Sequence, residues 1–301
     1  DDMTPERIAQ LYQAEKPSHN RVAIDPKVYT TDNGTRYLTE PGVALVAQPN
    51  TSLLNAEGFL RGYGFGDSYL DDERRRPVDM GDGEALIKFG GQLCYLSLGE
   101  ERTKNADHLT YIDHIIDSGH GSVLEHATYS ILIYGVSRAL THELIRHRHV
   151  SPSQLSQRYV PGKHLRFVAD KATASSTELM ARFRNFIDAA REEYTQREAL
   201  LLREAGIVGK PTTAQRKAVR QTARRSLPNE TETVLLLTGN VRAWRGIIDQ
   251  RSSPWADAEI AGLAWRLFLT LAVVEPSLWL DYEAKMRDDG IQYVETTRKK
   301  V

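Results

Sequence analysis

The chain has 301 residues, enough for one large domain or two ordinary ones. Its 41% hydrophobic and 26% charged content is that of an ordinary globular protein. With 39 basic against 40 acidic residues the net charge is −1, so no global basic field is available to hold nucleic acid. The single cysteine, Cys94, excludes an internal disulfide framework and a cysteine-based zinc site; its mixed apolar context suggests a small core residue.

No apolar leader opens the chain, and the run Phe268 to Val274 is too short to span a bilayer, so a cytoplasmic protein without a membrane partner is expected. Residues 1–42 are polar and turn-rich and read as an N-terminal extension. Within them Ile8, Leu11 and Tyr12 suit a short amphipathic helix, and Asp32-Asn33-Gly34 suits a hairpin turn between Val28-Tyr29 and Tyr37-Leu38. A main domain is expected over residues 43–290, followed by a tail over 291–301. Gly42 to Gln48 reads as a short buried strand. Gly62 to Gly66 is glycine-rich, but it neither follows that strand directly nor clearly opens a helix, so a surface turn is expected rather than a phosphate loop. Asp71 to Arg76 reads as a solvated charged stretch.

Helices are expected over Gly83 to Tyr95 and Asn105 to Gly119, the second with Leu109, Ile112, Ile115 and Ile116 inward and His108 and His114 facing solvent. His120, Glu125 and His126 are candidate metal ligands, but the spacing is not H-E-x-x-H and no further ligand is evident, so no metal is expected. Thr128 to Ser137 is rich in β-formers, and Ser137 can cap a helix beginning at Arg138. On that helix Arg138, His142, Arg146 and His149 would share one face. Arg146-His147-Arg148 follows, then a run of hydrogen-bonding residues around Pro152 that suits a loop turning there to wrap a polar ligand. Adjacent cations repel, so such a cluster suits an anionic ligand; a solvated basic helix end is the plainer alternative. Further on, Thr177 to Ala205 is a long amphipathic helix and Thr213 to Ser226 a basic one. Glu230 to Leu237 is a strand, Asn240 caps a helix over Val241 to Gln250, and two more helices are expected over Asp257 to Val274 and Ser277 to Met286.

At Arg146-His147-Arg148, seven residues, then Ser156, extended by Arg158 and Tyr159, the chain resembles the flavin-dependent thymidylate synthase family. Two further patterns support the resemblance: Gly119-His120-Gly121-Ser122 with Glu125-His126, and Asn240-x-Arg242, eight residues, Arg251. It covers roughly residues 84–284. It implies an α/β fold with a mixed sheet flanked by helices, and a homotetramer whose active sites draw on several subunits. The implied reaction is reductive methylation of dUMP to dTMP, with FAD as cofactor, methylenetetrahydrofolate as carbon donor and NADPH as reductant. The FAD set would be His120, Ser122, Arg146, His147, Arg148, Gln154, Asn240, Arg242 and Gly246. The nucleotide set would be Arg138, Glu143, Arg146, Gln154, Ser156, Gln157, Arg158, Arg224 and Arg251. Arg251 would stabilise charge on the pyrimidine when N3 loses its proton. Ser156 would position the nucleotide, since no Ser-His-Asp arrangement is legible around it.

C5 of uracil is a weak nucleophile, and a thiol that adds at C6 is one chemical solution. Cys94 lies in an expected helix with no evident activating base, which favours the flavin route. Trp255 stands where the family often has histidine, Gly246 replaces a polar residue, and Ser153-Gln154 replaces an asparagine-glutamate pair. Trp255 either packs against the sheet or marks another pyrimidine, such as that of dCMP, or hydroxymethylation in place of methylation. A non-enzymatic nucleic-acid-binding protein using Arg216 to Arg225 is the rival from another class; net charge and the lack of interleaved aromatics weigh against it.

Overall fold

The computed structural model describes residues 2–99 and 107–298. Asn105, the expected start of one helix, and the last three residues of the 291–301 tail lie outside the described residues. The chain opens with α1 (Pro5–Ala14), capped by the Thr4 side chain, and its apolar face Ile8, Leu11 and Tyr12 is buried. Strands β1 (Ala23–Ile24), β2 (Tyr29–Thr30), β3 (Arg36–Leu38) and β4 (Gly42–Ala47) follow. β2 and β3 form the expected hairpin, with Gly34 at φ +82° in the turn. Only Gly42 and Val43 of β4 are buried.

Two short helices, α2 (Glu57–Gly62) and α3 (Gly66–Arg74), flank a turn at Gly64, so the acidic stretch from Asp71 is helical as far as Arg74. Asp71, Asp72, Arg74 and Arg75 are exposed, as expected of a solvated stretch, while the Glu73 side chain is 12% exposed and pairs with Arg76. Next come α4 (Asp82–Cys94) and α5 (His108–Asp117). Cys94 is exposed rather than in the core, and His108 is buried rather than facing solvent. Helix position explains both: Cys94 ends α4, and His108 begins α5 beneath its own cap residue, Asp107.

The centre of the fold is β5 (Thr128–Ser137), followed by α6 (Arg138–Leu144) and β6 (Val150–Gln154). Then come β7 (Arg166–Val168), α7 (Lys171–Ala174), α8 (Thr177–Glu204), α9 (Thr213–Ala223), β8 (Glu232–Asn240), α10 (Val241–Arg251) and α11 (Ala258–Ala272). A five-stranded antiparallel sheet has the order β1-β4-β5-β8-β6. Parallel pairing occurs between β3 and β7 in a separate three-stranded sheet. Residues alternate along β5 and β8, so Tyr129, Ile131, Ile133, Leu235 and Leu237 point into one core. α11 is buried at nearly every position from Ile260 to Ala272, as expected of a helix apolar on all sides. Residues of the first 42 share that core: Met3, Ile8, Leu11, Tyr12 and Ile24 pack with it. Trp265 and Arg266 of α11 donate to the Glu15 carboxylate at 2.9 and 3.0 Å.

Three expectations are corrected here. The stretch after Arg148 is not a loop turning at Pro152 but the edge strand β6, with Pro152 paired opposite Leu237. An edge tolerates proline because one side of the strand needs no hydrogen bond. α6 stops at Leu144, because the chain must leave the helix to reach β8, so Arg146 and His149 do not share its face. The expected helix over Ser277 to Met286 is instead a 3-10 turn (Pro276–Leu278) and a hairpin, β9 (Glu283–Met286) with β10 (Gln292–Glu295). Its turn is Asp288-Asp289-Gly290, with Gly290 at φ +76°. Tertiary pull explains the change: Arg245 draws Asp281 inward in a fork at 2.9 and 2.6 Å, and the Tyr282 hydroxyl donates to Asp249 at 2.6 Å.

Arg245 and Asp281 side chains are each 2% exposed. The guanidinium also donates to the Leu278 carbonyl at 2.7 Å and lies over the Trp279 and Tyr282 rings. Removing one partner of such a pair strands a buried charge. Asp281→Ala is therefore expected to cost about 3–5 kcal/mol, read as a lower urea midpoint at unchanged slope. A loss below about 1 kcal/mol would place the pair with exposed ones and refute this account.

Candidate active site

Two cationic groups are built around α6. The first lies in a cleft of about 590 Å³ lined by Arg146, His147, Arg148, Asn240, Arg242 and Gly246, together with Glu125, His149, Val150, Ala243 and Gln250. Six of the residues expected to hold the flavin are thus brought together by the chain. Asn240 ends β8 and caps α10, its Oδ1 accepting from Ala243 N at 2.9 Å. That cap places Arg242 in the first turn of α10, where the helix dipole disfavours a cation. Glu125 compensates by accepting from Arg242 at 2.7 Å. Three arginines against one glutamate still leave the lining cationic. A Cβ at Gly246 would meet no atom within 4 Å, so that wall is open.

Arg251, at the C-terminal end of α10, joins this cleft through His147. Its Nε donates to His147 Nε2 at 3.0 Å, its Nη1 to Glu143 Oε2 at 2.8 Å, and its Nη2 to the Glu143 carbonyl at 2.9 Å. Those bonds engage three of the five N–H donors of a guanidinium and leave two. His147 accepts from a cation and must be neutral to do so. Burial, and then the Arg251 charge, lower its pKa to about 4.

The second group is Arg138 with Arg224. Arg138 begins α6, and Arg224 begins the 3-10 turn after α9. The Arg138 guanidinium is held below its ordinary pKa, first by burial and then by the Arg224 charge, so the two cations lie near enough to repel. Arg158 lies at the same end of α9: its Nη2 donates to Gln221 at 3.4 Å, and its buried Nε has no hydrogen-bond partner. Ser156 Oγ accepts from Arg158 N at 3.4 Å. α6 joins the two groups. From Arg138 to Glu143 it advances about 7.5 Å, at 1.5 Å per residue.

The remaining expected residues stand apart. His120 and Ser122 are exposed at the start of a 3-10 turn (Gly121–His126) and do not line the cleft. Gln154 lies on β6 and donates to Thr233 Oγ1 at 3.0 Å; Gln157 is half-buried beyond it. Trp255 does not pack against the sheet: it is 92% exposed, on a loop tied down by Arg287 Nη1 donating to the Ala256 carbonyl at 2.8 Å. The role of His147 as the acceptor for Arg251 was missed, because adjacency to Arg146 and Arg148 grouped it with them. The lining residue Gln250 was missed as well; its position one residue before Arg251 was the available signal. Among the described residues no three His, Cys, Asp or Glu side chains converge as a metal site. No helix of those residues is long and apolar enough to cross a membrane.

This arrangement can be compared with known proteins. A family model described as thymidylate synthase complementing protein matches residues 78–277. Proteins named flavin-dependent thymidylate synthase from Mycolicibacterium gilvum (strain PYR-GCK) and Mycobacterium tuberculosis (strain ATCC 25618 / H37Rv) are each 46% identical over 216 residues, covering 71% of this chain and 86% of the relative. The crystal structure of a UMP/dUMP methylase, PolB from Streptomyces cacaoi, bound with 5-Br dUMP, superposes with a TM-score of 0.52 at 20% identity, covering 80% of this chain and 93% of that one. A second PolB structure, bound with 5-Br UMP, gives 0.53 at 18%. These two show the shared fold. With the family model spanning the site and relatives at this identity, the chain belongs to the flavin-dependent thymidylate synthase family.

Proposed function

We propose that this chain methylates dUMP at C5 to give dTMP, using FAD, with methylenetetrahydrofolate as carbon donor and NADPH as reductant. The observation that carries the reading is Arg251, fixed by Glu143 and neutral His147 beside a cationic cleft, with two donors to spare. The cleft suits a flavin nucleotide. Its volume is that of a ligand pocket, its arginines suit phosphates, and the open wall at Gly246 leaves room for a planar ring. When bound, the flavin supplies the reducing equivalents that no side chain can.

In this reading Arg146, His147, Arg148, Asn240, Arg242 and the open position Gly246 form the cofactor wall, with His120, Ser122 and Gln154 contributing to it. Arg138 and Arg224 take the nucleotide phosphate: two guanidiniums near enough to repel are relieved by a dianion. Glu143, Ser156, Gln157 and Arg158 hold the nucleotide beside them, Arg146 and Gln154 serve both ligands, and the orphaned Nε of Arg158 gains an acceptor. Arg251 places its remaining N–H donors on the pyrimidine and stabilises the charge left when N3 loses its proton. Ser156 positions the ring and forms no covalent bond. We infer a cytoplasmic homotetramer with shared sites. The separation of His120 and Ser122 from the cleft, and the exposure of β6 from Ser151 to Gln154, support another subunit completing each site.

The exposure of Trp255 favours a second version of this reading, in which the indole meets a different pyrimidine nucleotide such as dCMP, the product being methylated or hydroxymethylated. Tritium release from C5-labelled dUMP and dCMP, with folate and NADPH present, separates the two. Release from dUMP is expected; release from dCMP alone would overturn the leading reading.

Arg251→Ala is expected to lower turnover by about 2–5 kcal/mol of lost stabilisation, roughly 30- to 4000-fold, while the flavin absorbance of the purified protein persists. Near-normal tritium release by this variant would remove Arg251 from the chemistry. His147 carries a pH signature. Its folded pKa of about 4 lies below the unfolded 6.5, so the unfolded chain binds the extra proton between those values. The stability it contributes is complete above pH 6.5 and is lost as pH falls towards 4. His147→Gln is expected to flatten the urea-midpoint profile across that window, and an unchanged slope would show that His147 is not held neutral.

A further inference from the structure

Arg138 is aimed by a junction that no sequence motif marks. β5 carries a bulge between Ile133 and Val136, where Gly135 takes φ +65°. A Cβ there would stand 2.7 Å from the Glu40 carbonyl oxygen, so the chain turns only because the residue is glycine. Two carboxylates grip the turn. Glu232 accepts from Gly135 N at 2.7 Å and is itself anchored by Arg166. Glu259, in the first turn of α11, accepts from Ser137 N and from Ser137 Oγ, both at 2.6 Å.

Ser137 already caps α6 by accepting from Leu140 N at 3.1 Å. A helix cap needs no carboxylate behind it, and burying one without a cation is costly. Glu259 has no basic partner among the described ion pairs; it spends both oxygens on one serine. That pair of hydrogen bonds fixes the serine backbone and hydroxyl together, and so the direction in which the next residue leaves. The next residue is Arg138. Its backbone N–H and that of Ala139 donate to the Thr231 and Asn229 carbonyls at 3.0 and 3.3 Å, in the segment that follows Arg224 and Pro228. The backbone thus holds Arg138 against Arg224 in spite of their repulsion.

We propose that Glu259 is a positioning residue for nucleotide binding: through Ser137 it keeps Arg138 registered against Arg224 as one phosphate-binding pair. This rests on the reading that those two arginines take the phosphate. Glu259 touches neither ligand and acts only through the β5–α6 junction. Its effect is therefore specific to the phosphate and absent for the bare nucleoside.

The test titrates dUMP and deoxyuridine into the flavin-loaded protein by calorimetry and measures KM and kcat for dUMP. Wild type is expected to prefer dUMP strongly. Glu259→Ala is expected to cut that preference about tenfold or more, since small misplacements of a binding group carry losses of this order. Deoxyuridine affinity should stay close to wild type, and KM should rise more than kcat falls. Glu259→Gln, whose amide oxygen still accepts from Ser137 N, should recover most of the preference; it also keeps the test open if the alanine variant folds poorly. Equal losses for nucleotide and nucleoside, or a full preference in both variants, would overturn the role of Glu259 alone. A wild-type protein that binds dUMP no better than deoxyuridine would overturn the phosphate reading of Arg138 and Arg224, and this proposal with it.

Discussion

Placing a guanidinium out of water without cancelling its charge is the constraint on which this molecule turns. Three arginines meet it differently. Arg245 is fully paired: Asp281 forks it, Leu278 caps it and two aromatic rings cover it, so its charge is spent on structure. Arg251 is held by one partly exposed carboxylate, one carbonyl and a neutral imidazole, which orient it while leaving most of its positive field. Arg138 has no acidic partner among the described ion pairs and lies near Arg224 instead. The first is a rivet and the other two are unfinished. A protein stabilises unfinished cations only with an elaborate frame, and the frame here is the β5–α6 junction with the ends of β8 and α10.

That frame was legible where the information is local. The alternation of β5 and β8, the caps at Ser137 and Asn240 and the stripe of α5 are set by residues within one or two turns of each other; β5 and α10 begin where expected, while β8 starts two residues later and ends three later than expected. What was not legible depends on partners distant in sequence. β6 carries Pro152 and three exposed polar residues, and nothing in its own side chains asks for a strand; the free edge of β8 does. The segment from Ser277 has helical composition, but Arg245 and Asp249 pull Asp281 and Tyr282 inward, and the Asp-Asp-Gly turn then folds a hairpin. The candidate site divides the same way. Runs such as Arg146 to Arg148 were visible, whereas the use of His147 as an uncharged acceptor requires Arg251, a hundred and four residues on.

The N-terminal residues show why a family match need not contain the whole fold. The match begins at residue 78, yet β1 closes one edge of the main sheet by pairing with β4. An uncovered edge would be a template for another strand. α1 and its cap residue Glu15 reach α11, where Arg266 gathers Glu15, Glu40 and the Pro41 carbonyl. α11 is therefore gripped at its middle by the first forty-one residues and at its start by Ser137, through Glu259. The helix that carries the core also carries the carboxylate behind the β5–α6 junction.

That connection gives the short helix α6 its meaning. Seven residues are too few to be stable alone, and beside the local cap at Ser137 the fixtures on α6 come from distant residues: Glu259 behind its first turn, Asn229 and Thr231 beside it, and Arg251 on Glu143 in its last. It acts as a spacer with a set length. A ligand whose anionic end meets Arg138 and Arg224 would have its other end placed about one and a half helical turns away, near Arg251. In the proposed reading, phosphate binding and ring polarisation would share one frame. The same spacer would convert a grip on the charged end of a nucleotide into a position for its base.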